Sequence, residues 1–249
     1  MKETAVGVDN RQFTLTFANP TFAPLRVLRG KISSFPFMKI HEGQPVLHEG
    51  APLAGAEVAI ILLHGRGSSG EDMLGLGRAL TAGRTDVALL APQAAGGTWY
   101  PQRFLAPLAQ NEPYLTSALG VVAETIDGLV AGRIARERIV LVGFSQGACL
   151  ALEFAFRHPY RYGAVVGLSG AVIGPPGAKR DLTGSLQGTP VFLGCGDTDP
   201  HIPVASVHES AAIFRTMEAE VVERIYPQMP HLVNDDEISS VSGLIARIR

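Results

Sequence analysis

The sequence predicts an α/β fold in which a mostly parallel β-sheet is covered by helices on both faces. Two patterns indicate it: short, wholly apolar segments recur along the chain, and stretches of helical periodicity separate them. Strands of a parallel sheet are buried on both faces, so they read as continuous apolar runs. The chain has 249 residues, of which 46% are hydrophobic, and this is enough to bury a large core within one domain.

Six strands are predicted from residue 58 onward, most of them apolar. They are Val58–Leu63, Val87–Leu90, Ile139–Val142, Ala164–Leu168, Val191–Leu193 and Val221–Tyr226. Five helical stretches accompany them: Glu71–Leu80, a segment with Leu115, Leu119, Val122, Ile126 and Leu129 on one face, Cys149–Arg157, Val204–Met217, and a last helix carrying Ile238, Val241 and Ile245. We expect Asn111 to cap the second helix, and Asn234 to Glu237 has the pattern of a capping box.

Residues 1–37 differ from the rest of the chain. Gln12–Phe17 alternates like a strand, but Pro20, Pro24 and Pro36 interrupt the residues after it and no helix period emerges. No continuous apolar run comes after the charged start, so a signal peptide is not expected. Two interpretations stay open: a strand or flap packed on the domain, or an upstream extension of a protein that naturally starts at Met38. The main domain is predicted at residues 38–249.

Composition narrows the classes of partner and location. The net charge is −2 and lysine and arginine do not cluster, so the chain offers no electrostatic support for a nucleic-acid partner. The longest apolar run, Val58–Leu63, is far shorter than the ~20 residues of a membrane span. Cys149 and Cys195 lie in apolar surroundings, where buried free thiols are expected. We expect a cytoplasmic protein with a small-molecule partner, and homo-oligomer formation stays open.

A G-x-S-x-G motif at Gly143–Gly147 organises the site prediction. An apolar strand precedes it and a helical stretch follows it, which is the context of a nucleophile elbow. Strand and helix backbones approach closely at such a turn, so small flanking residues are a physical need. A chance pentapeptide in a glycine-rich chain is the alternative, and the flanking elements disfavour it. Ser145 is the candidate nucleophile.

A serine hydroxyl needs a base to take its proton, and the base needs a carboxylate to orient it. Asp199 and His231 lie in loops after two later strands, in the Ser, acid, His order of α/β-hydrolases. Asp197 is a rival acid, but its place directly after a strand-end glycine suits a role in the turn. Among the other histidines, His64 is interpreted as a strand-end residue that shapes a glycine-rich turn.

The oxyanion of the reaction intermediate needs backbone donors. The residue after the nucleophile, Gln146, offers one N–H at a helix start, and Arg66 in the loop after the first core strand offers a second. A phosphate-cradling loop is the alternative for Gly65–Gly70, but the segment lacks the Lys-Ser/Thr ending. No spacing typical of metal ligands is present, so no metal and no cofactor are predicted.

Five ordered motifs resemble the phospholipase/carboxylesterase family of serine hydrolases, relatives of acyl-protein thioesterases. They are Leu63–Gly67, Ala91–Gln93 with Thr98–Tyr100, Gly143–Gly147, Gly196–Pro200 and Met229–His231. The resemblance implies an α/β-hydrolase fold, metal-free hydrolysis of carboxylic esters or thioesters, a triad of Ser145, Asp199 and His231, and backbone donors at Arg66 and Gln146. One departure is the proline before the histidine, where the family usually has glycine.

The predicted function is a serine carboxylesterase for small to medium acyl chains, acting through an acyl-enzyme. An acyl thioesterase or lysophospholipase with the same triad is one alternative, and a non-catalytic binding protein of the same fold is another. Trp99, Phe104 and Leu105 are predicted to line the acyl pocket, because bulky apolar groups after a strand end usually cover something. Plain core packing is an equally weighted alternative for these three side chains.

Overall fold

A computed structural model describes residues 39–81 and 83–248, so the predictions for residues 1–37 lie outside the described residues. Its strands are β1 (Val46–Gly50), β2 (Val58–Leu63), β3 (Val87–Pro92), β4 (Ile139–Phe144), β5 (Ala164–Leu168), β6 (Pro190–Gly196) and β7 (Glu220–Tyr226). They form a sheet in the order β1-β3-β2-β4-β5-β6-β7. Only the β1–β3 pair in this sheet is antiparallel, which confirms the mostly parallel sheet.

The helices cover both faces of the sheet, as predicted. They are α1 (Gly70–Thr81), α2 (Tyr114–Ala131), α3 (Gln146–Arg157), α4 (Val204–Thr216) and α5 (Asp235–Ile245). Buried residues of α2, α3 and α4 share one apolar cluster, and those of α1 and α5 share another. Alternate residues of β2 enter the two clusters, Ile61 in the first and Ile60 in the second. This two-sided burial is the reason that β2 is apolar throughout.

Strand β1 was not predicted from the sequence. Its residues, Val46–Gly50, are half-buried or exposed, and only two of them are aliphatic. An edge strand covered on one side carries no continuous apolar run, so the pattern that reveals β2 is missing here. Its position is set by antiparallel pairing along β3, from Val46 opposite Pro92 to Gly50 opposite Ala88.

The expected cap of α2 is wrong. Helix α2 begins at Tyr114, and Pro113 at its N-cap position makes no side-chain capping bond. The side chain of Asn111 is buried and turned toward a neighbouring loop: its Oδ1 accepts the N–H of Gln102 (2.8 Å), and its Nδ2 donates to the carbonyl of Arg103 (3.3 Å). Asn111 therefore anchors the loop after β3. The capping box predicted at Asn234–Glu237 is confirmed at the start of α5.

Within the described part of the chain, one helix, Tyr114–Ala131, is long and apolar enough to cross a membrane by length and composition alone. Six of its apolar residues lie in the core beside the sheet: Leu115, Ala118, Leu119, Val122, Ile126 and Leu129. A core helix of a globular domain has this same composition, so α2 gives only weak support for a membrane span.

The topology brings the sequence-predicted loops together. β2, β4, β5, β6 and β7 run parallel, so their carboxyl ends lie along one edge of the sheet. β4 lies between β2 and β5, near the middle of the strand order. The loops after β2, β4, β6 and β7 therefore converge at the edge where α/β folds bind their ligands.

Candidate active site

Ser145 lies at the sharp turn between β4 and α3, with backbone angles φ 56° and ψ −118°. A non-glycine residue rarely adopts a positive φ, and such strain persists only where the surroundings impose it. A Cβ on Gly147 would lie 2.0 Å from the carbonyl oxygen of Leu63, and one on Gly143 would lie 2.2 Å from that of Gly147. Both glycines of the motif are thus required by backbone contact, as the elbow interpretation expects.

His231 reaches the serine from the loop after β7. Its Nε2 lies 2.8 Å from Ser145 Oγ, and its side chain is 18% exposed. The rings of Phe144 and His201 flank it, each with its centroid 4.9 Å from that of His231. Pro230 does not prevent this approach, although it removes a backbone donor from the loop.

Asp199 completes a line of hydrogen bonds behind the histidine. Its Oδ2 lies 2.6 Å from His231 Nδ1, while its Oδ1 accepts the N–H groups of His201 (2.8 Å) and Ile202 (3.0 Å). Burial alone would raise the pKa of this carboxyl, but the bonds from His231, His201 and Ile202 hold it below its ordinary value. An ionised carboxylate only accepts, so Nδ1 of a neutral His231 carries the proton and its Nε2 lone pair faces Ser145.

Asp197, the rival acid, has a different task. Its Oδ1 accepts the N–H of Gln228 (2.6 Å) and its own N–H donates to the carbonyl of Tyr226 (3.0 Å). It therefore joins the loop after β6 to the loop after β7, as expected for an aspartate that serves a turn. Of the two candidates, the structure brings Asp199 to His231.

The two predicted oxyanion donors belong to segments that adjoin Ser145. Gln146 follows it directly and begins α3, where backbone N–H groups lack helical acceptors. Arg66 follows Gly65, and a Cβ built on Gly65 would have Ser145 Cβ as its nearest neighbour, at 3.4 Å. The loop after β2 is thus in contact with the nucleophile turn. The donor roles of Arg66 and Gln146 stay predictions.

The predicted pocket residues divide into two groups. Trp99 is fully buried and its indole N–H donates to the carbonyl of His64 (2.9 Å), while Phe104 is 5% exposed within the same apolar cluster. For these two side chains the structure favours core packing over an acyl pocket, because they present almost no accessible surface. Leu105 is half-buried at the edge of that cluster and keeps surface available for contact.

Two buried histidines, His64 and His41, contact the loop that carries Trp99. His64 is fully buried; its Nδ1 lies 2.7 Å from the carbonyl of Gly65, and its Nε2 accepts the N–H of Ala94 (3.0 Å). Burial lowers the pKa of His64 and so favours the neutral ring. His41 lies away from the predicted loops in the sequence, but its ring nitrogens contact the carbonyl of Trp99 (3.0 Å) and the N–H of Ala95 (3.1 Å).

Glu237 is a buried carboxyl that sequence reasoning treated only as a cap. Its Oε2 accepts the N–H of Asn234 (2.9 Å), whereas its Oε1 has no hydrogen-bond partner among the described residues and lies against Gly194 of β6. Burial raises the pKa of Glu237 to about 7. This group therefore links the start of α5, just after the His231 loop, to the strand that precedes the Asp199 loop.

Glu237→Gln should make stability less sensitive to pH. The folded pKa of about 7 exceeds the ordinary value of 4.5, so the stability contributed by the protonated carboxyl is full below pH 4.5 and falls as pH rises to 7. The free energy of unfolding of the variant, relative to that of the parent, should therefore increase by on the order of 2 to 3 kcal/mol between pH 5 and pH 8. Urea unfolding at the two pH values measures it, with exposed Glu124→Gln as the control; a gain that does not change with pH would contradict it.

Among residues 39–81 and 83–248, no three histidine, cysteine, aspartate or glutamate side chains are grouped so that they could hold a metal ion. Cys149 and Cys195 are both buried free thiols. Burial raises the pKa of each thiol to about 12. The Sγ of Cys195 lies 3.7 Å from Asp199 Oδ2, so this thiol contacts the same carboxylate oxygen that His231 contacts.

These features define an α/β-hydrolase. The sheet is mostly parallel, the serine lies at a strained turn after β4, and the aspartate and histidine follow β6 and β7. The chain belongs to the phospholipase/carboxylesterase family, whose model matches residues 51–248. This confirms the resemblance inferred from the five motifs. The match lies wholly within the predicted domain of residues 38–249.

Known relatives agree with this family. The crystal structure of a phospholipase/carboxylesterase from Dyadobacter fermentans is 38% identical, with a TM-score of 0.77, and the match covers 82% of this chain and 97% of that one. Acyl-protein thioesterase 1 of Saccharomyces cerevisiae is 30% identical over 133 residues, which are 53% of this chain and 59% of the yeast protein. A carboxylesterase from Bacillus cereus, 20% identical over 84% of this chain and 96% of its own, has a TM-score of 0.66 and shares the fold.

Proposed function

We propose that the protein is a serine carboxylesterase that hydrolyses esters of small to medium acyl chains through an acyl-enzyme. One observation carries the proposal: the hydrogen bonds from Ser145 Oγ to His231 (2.8 Å) and from His231 to Asp199 (2.6 Å) form an unbroken line. The family and the Dyadobacter structure support hydrolysis of carboxylic esters. An intact line of this kind also argues against a binding protein that keeps the fold and has lost the chemistry.

The geometry gives each group a step. Ser145 Oγ attacks the ester carbonyl while His231 Nε2 takes its proton, and Asp199 stabilises the resulting imidazolium. The N–H groups of Arg66 and Gln146 donate to the oxyanion. As the tetrahedral intermediate collapses, His231 gives the proton to the departing alkoxide, which leaves as the alcohol. Water then attacks the acyl-enzyme with His231 again as base, and release of the acid restores Ser145.

A second candidate is an acyl thioesterase that uses the same residues. The name of the yeast relative favours it, and the mechanism accommodates a thiol leaving group without a new residue. A matched pair of substrates, an oxygen ester and a thioester of one acyl group, separates the two by kcat/KM. Hydrolysis of p-nitrophenyl esters of increasing chain length then gives the acyl preference. The proposal would be contradicted if the folded protein hydrolysed none of these substrates.

Leu105→Ala should change the chain-length preference, because Leu105 is the one predicted pocket residue that keeps accessible surface. Phe104→Ala serves as its control. Phe104 lies in the core, so its loss should cost about 3 to 5 kcal/mol of stability and leave the preference unchanged in the folded fraction. The p-nitrophenyl ester profile of both variants is the measurement. An unchanged profile for Leu105→Ala would place the acyl chain elsewhere.

Cytoplasmic location and a small-molecule ester as the partner stay predictions, and assembly with a second copy stays open. Cell fractionation and size-exclusion chromatography with mass determination measure the first and the last of these.

A further inference from the structure

The side chains of Arg66 and Gln146 converge on one backbone oxygen. Arg66 Nη2 and Gln146 Nε2 each lie 2.8 Å from the carbonyl oxygen of Tyr100, to which both donate. These are the two residues whose backbone N–H groups form the proposed oxyanion hole. They come from different loops, one after β2 and one at the start of α3, so a shared acceptor couples the positions of the two loops.

The guanidinium of Arg66 spans three successive residues. Besides Tyr100, it donates from Nη1 to the carbonyl of Pro101 (3.1 Å) and from Nη2 to that of Gln102 (2.7 Å). Bonds from a charged donor are stronger than neutral ones, and only the planar fork of arginine presents several donors in a fixed geometry. Arg66 therefore fastens its own loop to the segment of residues 98–102.

The amide of Gln146 is committed to the same 98–102 segment. Its Oε1 accepts the N–H of Trp99 (2.9 Å) and lies 3.2 Å from the hydroxyl of Thr98, while its Nε2 donates to Tyr100. Gln146 is only 6% exposed, so losing one of these partners would leave a buried polar group unpaired. The first residue of α3 is thus held by both ends of its amide.

The 98–102 segment is itself held from three other directions. The indole of Trp99 donates to the carbonyl of His64, Nε2 of buried His41 lies 3.0 Å from the carbonyl oxygen of Trp99, and the N–H of Gln102 donates to buried Asn111. These bonds make the segment a fixed support rather than a free loop. The side chains of both residues that supply the proposed oxyanion hole therefore bind to the same fixed segment.

We propose that Arg66 and Gln146 are positioning residues, whose side chains fix the spacing of the oxyanion hole through the carbonyl of Tyr100. The inference rests on the proposed esterase function. A backbone N–H stabilises the tetrahedral oxyanion only if it is held at the right place before charge develops, and a misplacement of about 1 Å can cost on the order of 100-fold in rate. Loss of the support should thus lower kcat far more than it raises KM.

Arg66→Met tests this role, because methionine keeps an unbranched, flexible stem like that of arginine and removes every donor. Arg66, Pro101 and Gln102 are exposed, so water can replace the lost bonds at Pro101 and Gln102 and the variant should fold. We expect kcat for a p-nitrophenyl ester to fall about 10-fold to 100-fold with KM within roughly threefold. Affinity for a trifluoromethyl ketone, which forms a tetrahedral adduct with the serine, should fall by the same factor. Arg66→Lys should lie between parent and Arg66→Met.

Arg78→Met is the matched control, since Arg78 of α1 forms an exposed ion pair with Glu49 of β1 and its replacement should leave all three quantities at parental values. Gln146→Glu keeps the acceptor for Trp99 and loses the donor to Tyr100. It therefore removes the second side-chain bond to the Tyr100 carbonyl. Because both side chains act through one oxygen, the double variant Arg66→Met/Gln146→Glu should lose less kcat than the product of the single losses.

Several outcomes would overturn the proposal: parental kcat in folded Arg66→Met, a kcat loss without a matching loss of ketone affinity, or multiplicative losses in the double variant. If Arg66→Met does not fold, Arg66→Lys decides, and parental kcat together with parental ketone affinity would contradict the role. The parent protein separates this inference from the proposed function. A parent that neither hydrolyses the ester nor binds the ketone contradicts both, whereas an active parent with unaffected variants contradicts only the positioning role.

Discussion

Replacing Ser145 by alanine is expected to lower kcat for ester hydrolysis by on the order of 10⁴-fold or more, because nucleophile and base act as a unit. The hydroxyl is the group that His231 Nε2 contacts at 2.8 Å, and alanine removes it. The fold should persist, since the glycines on either side keep the close approach of β4 and α3. Steady-state kinetics of the purified variant, with circular dichroism to verify folding, measures the effect.

A control for Ser145→Ala is Ser239→Ala, the same chemical change at an exposed position of α5. Its kcat should equal that of the parent. Activity of folded Ser145→Ala within tenfold of the parent would mean that another residue attacks the carbonyl. Residual turnover above the uncatalysed rate is compatible with the assignment, because the oxyanion donors and substrate binding remain.

The second large effect concerns the base and the acid. His231→Ala should lose activity to the same degree as Ser145→Ala, and Asp199→Asn should cost on the order of 10⁴-fold, because an amide in place of the carboxylate favours the wrong histidine tautomer. Asp197→Asn is the matched control. Its Oδ1 only accepts the N–H of Gln228, and the amide oxygen of asparagine can replace that acceptor.

The comparison between the two aspartates is decisive when all variants are equally folded. We expect Asp197→Asn to stay within about tenfold of the parental kcat, since it touches the turn rather than His231. If Asp197→Asn proves more damaging than Asp199→Asn, the acid has been assigned to the wrong residue. Thermal unfolding of each variant separates loss of activity from loss of structure.

Much of the fold could be predicted because its cause is local. β2 is apolar at every position because both of its faces are covered. The start of α5 is marked in the sequence by Asn234 and Glu237, which form a reciprocal capping box. The turn at Ser145 is similarly readable, because backbone contact demands glycine at fixed offsets. Strand β1 was not predicted because it is held by pairing with β3, which is distant in the sequence. Such pairing produces no hydrophobic periodicity within β1 itself.

The supporting parts of the site were missed for the same reason. Asn111 has the place of a helix cap in the sequence and His41 lies away from the predicted loops, but tertiary packing directs each toward the loop that carries Trp99 and Gln102. Trp99 is buried because it contacts His64 and belongs to the apolar cluster that includes residues of α2, which its place after a strand does not reveal. Arg66 was predicted for its backbone N–H, whereas its side-chain bonds depend on a loop more than thirty residues later.

Covalent labelling of the parental protein with a fluorophosphonate, followed by peptide mass mapping, tests most directly whether Ser145 is the nucleophile of a serine hydrolase. A serine activated by His231 and held beside the oxyanion donors should react with the reagent. We predict one adduct per chain, located on Ser145, with esterase activity lost in proportion to its formation. Failure of the folded protein to form an adduct, an adduct on another residue, or full activity after complete labelling of Ser145 would contradict the account.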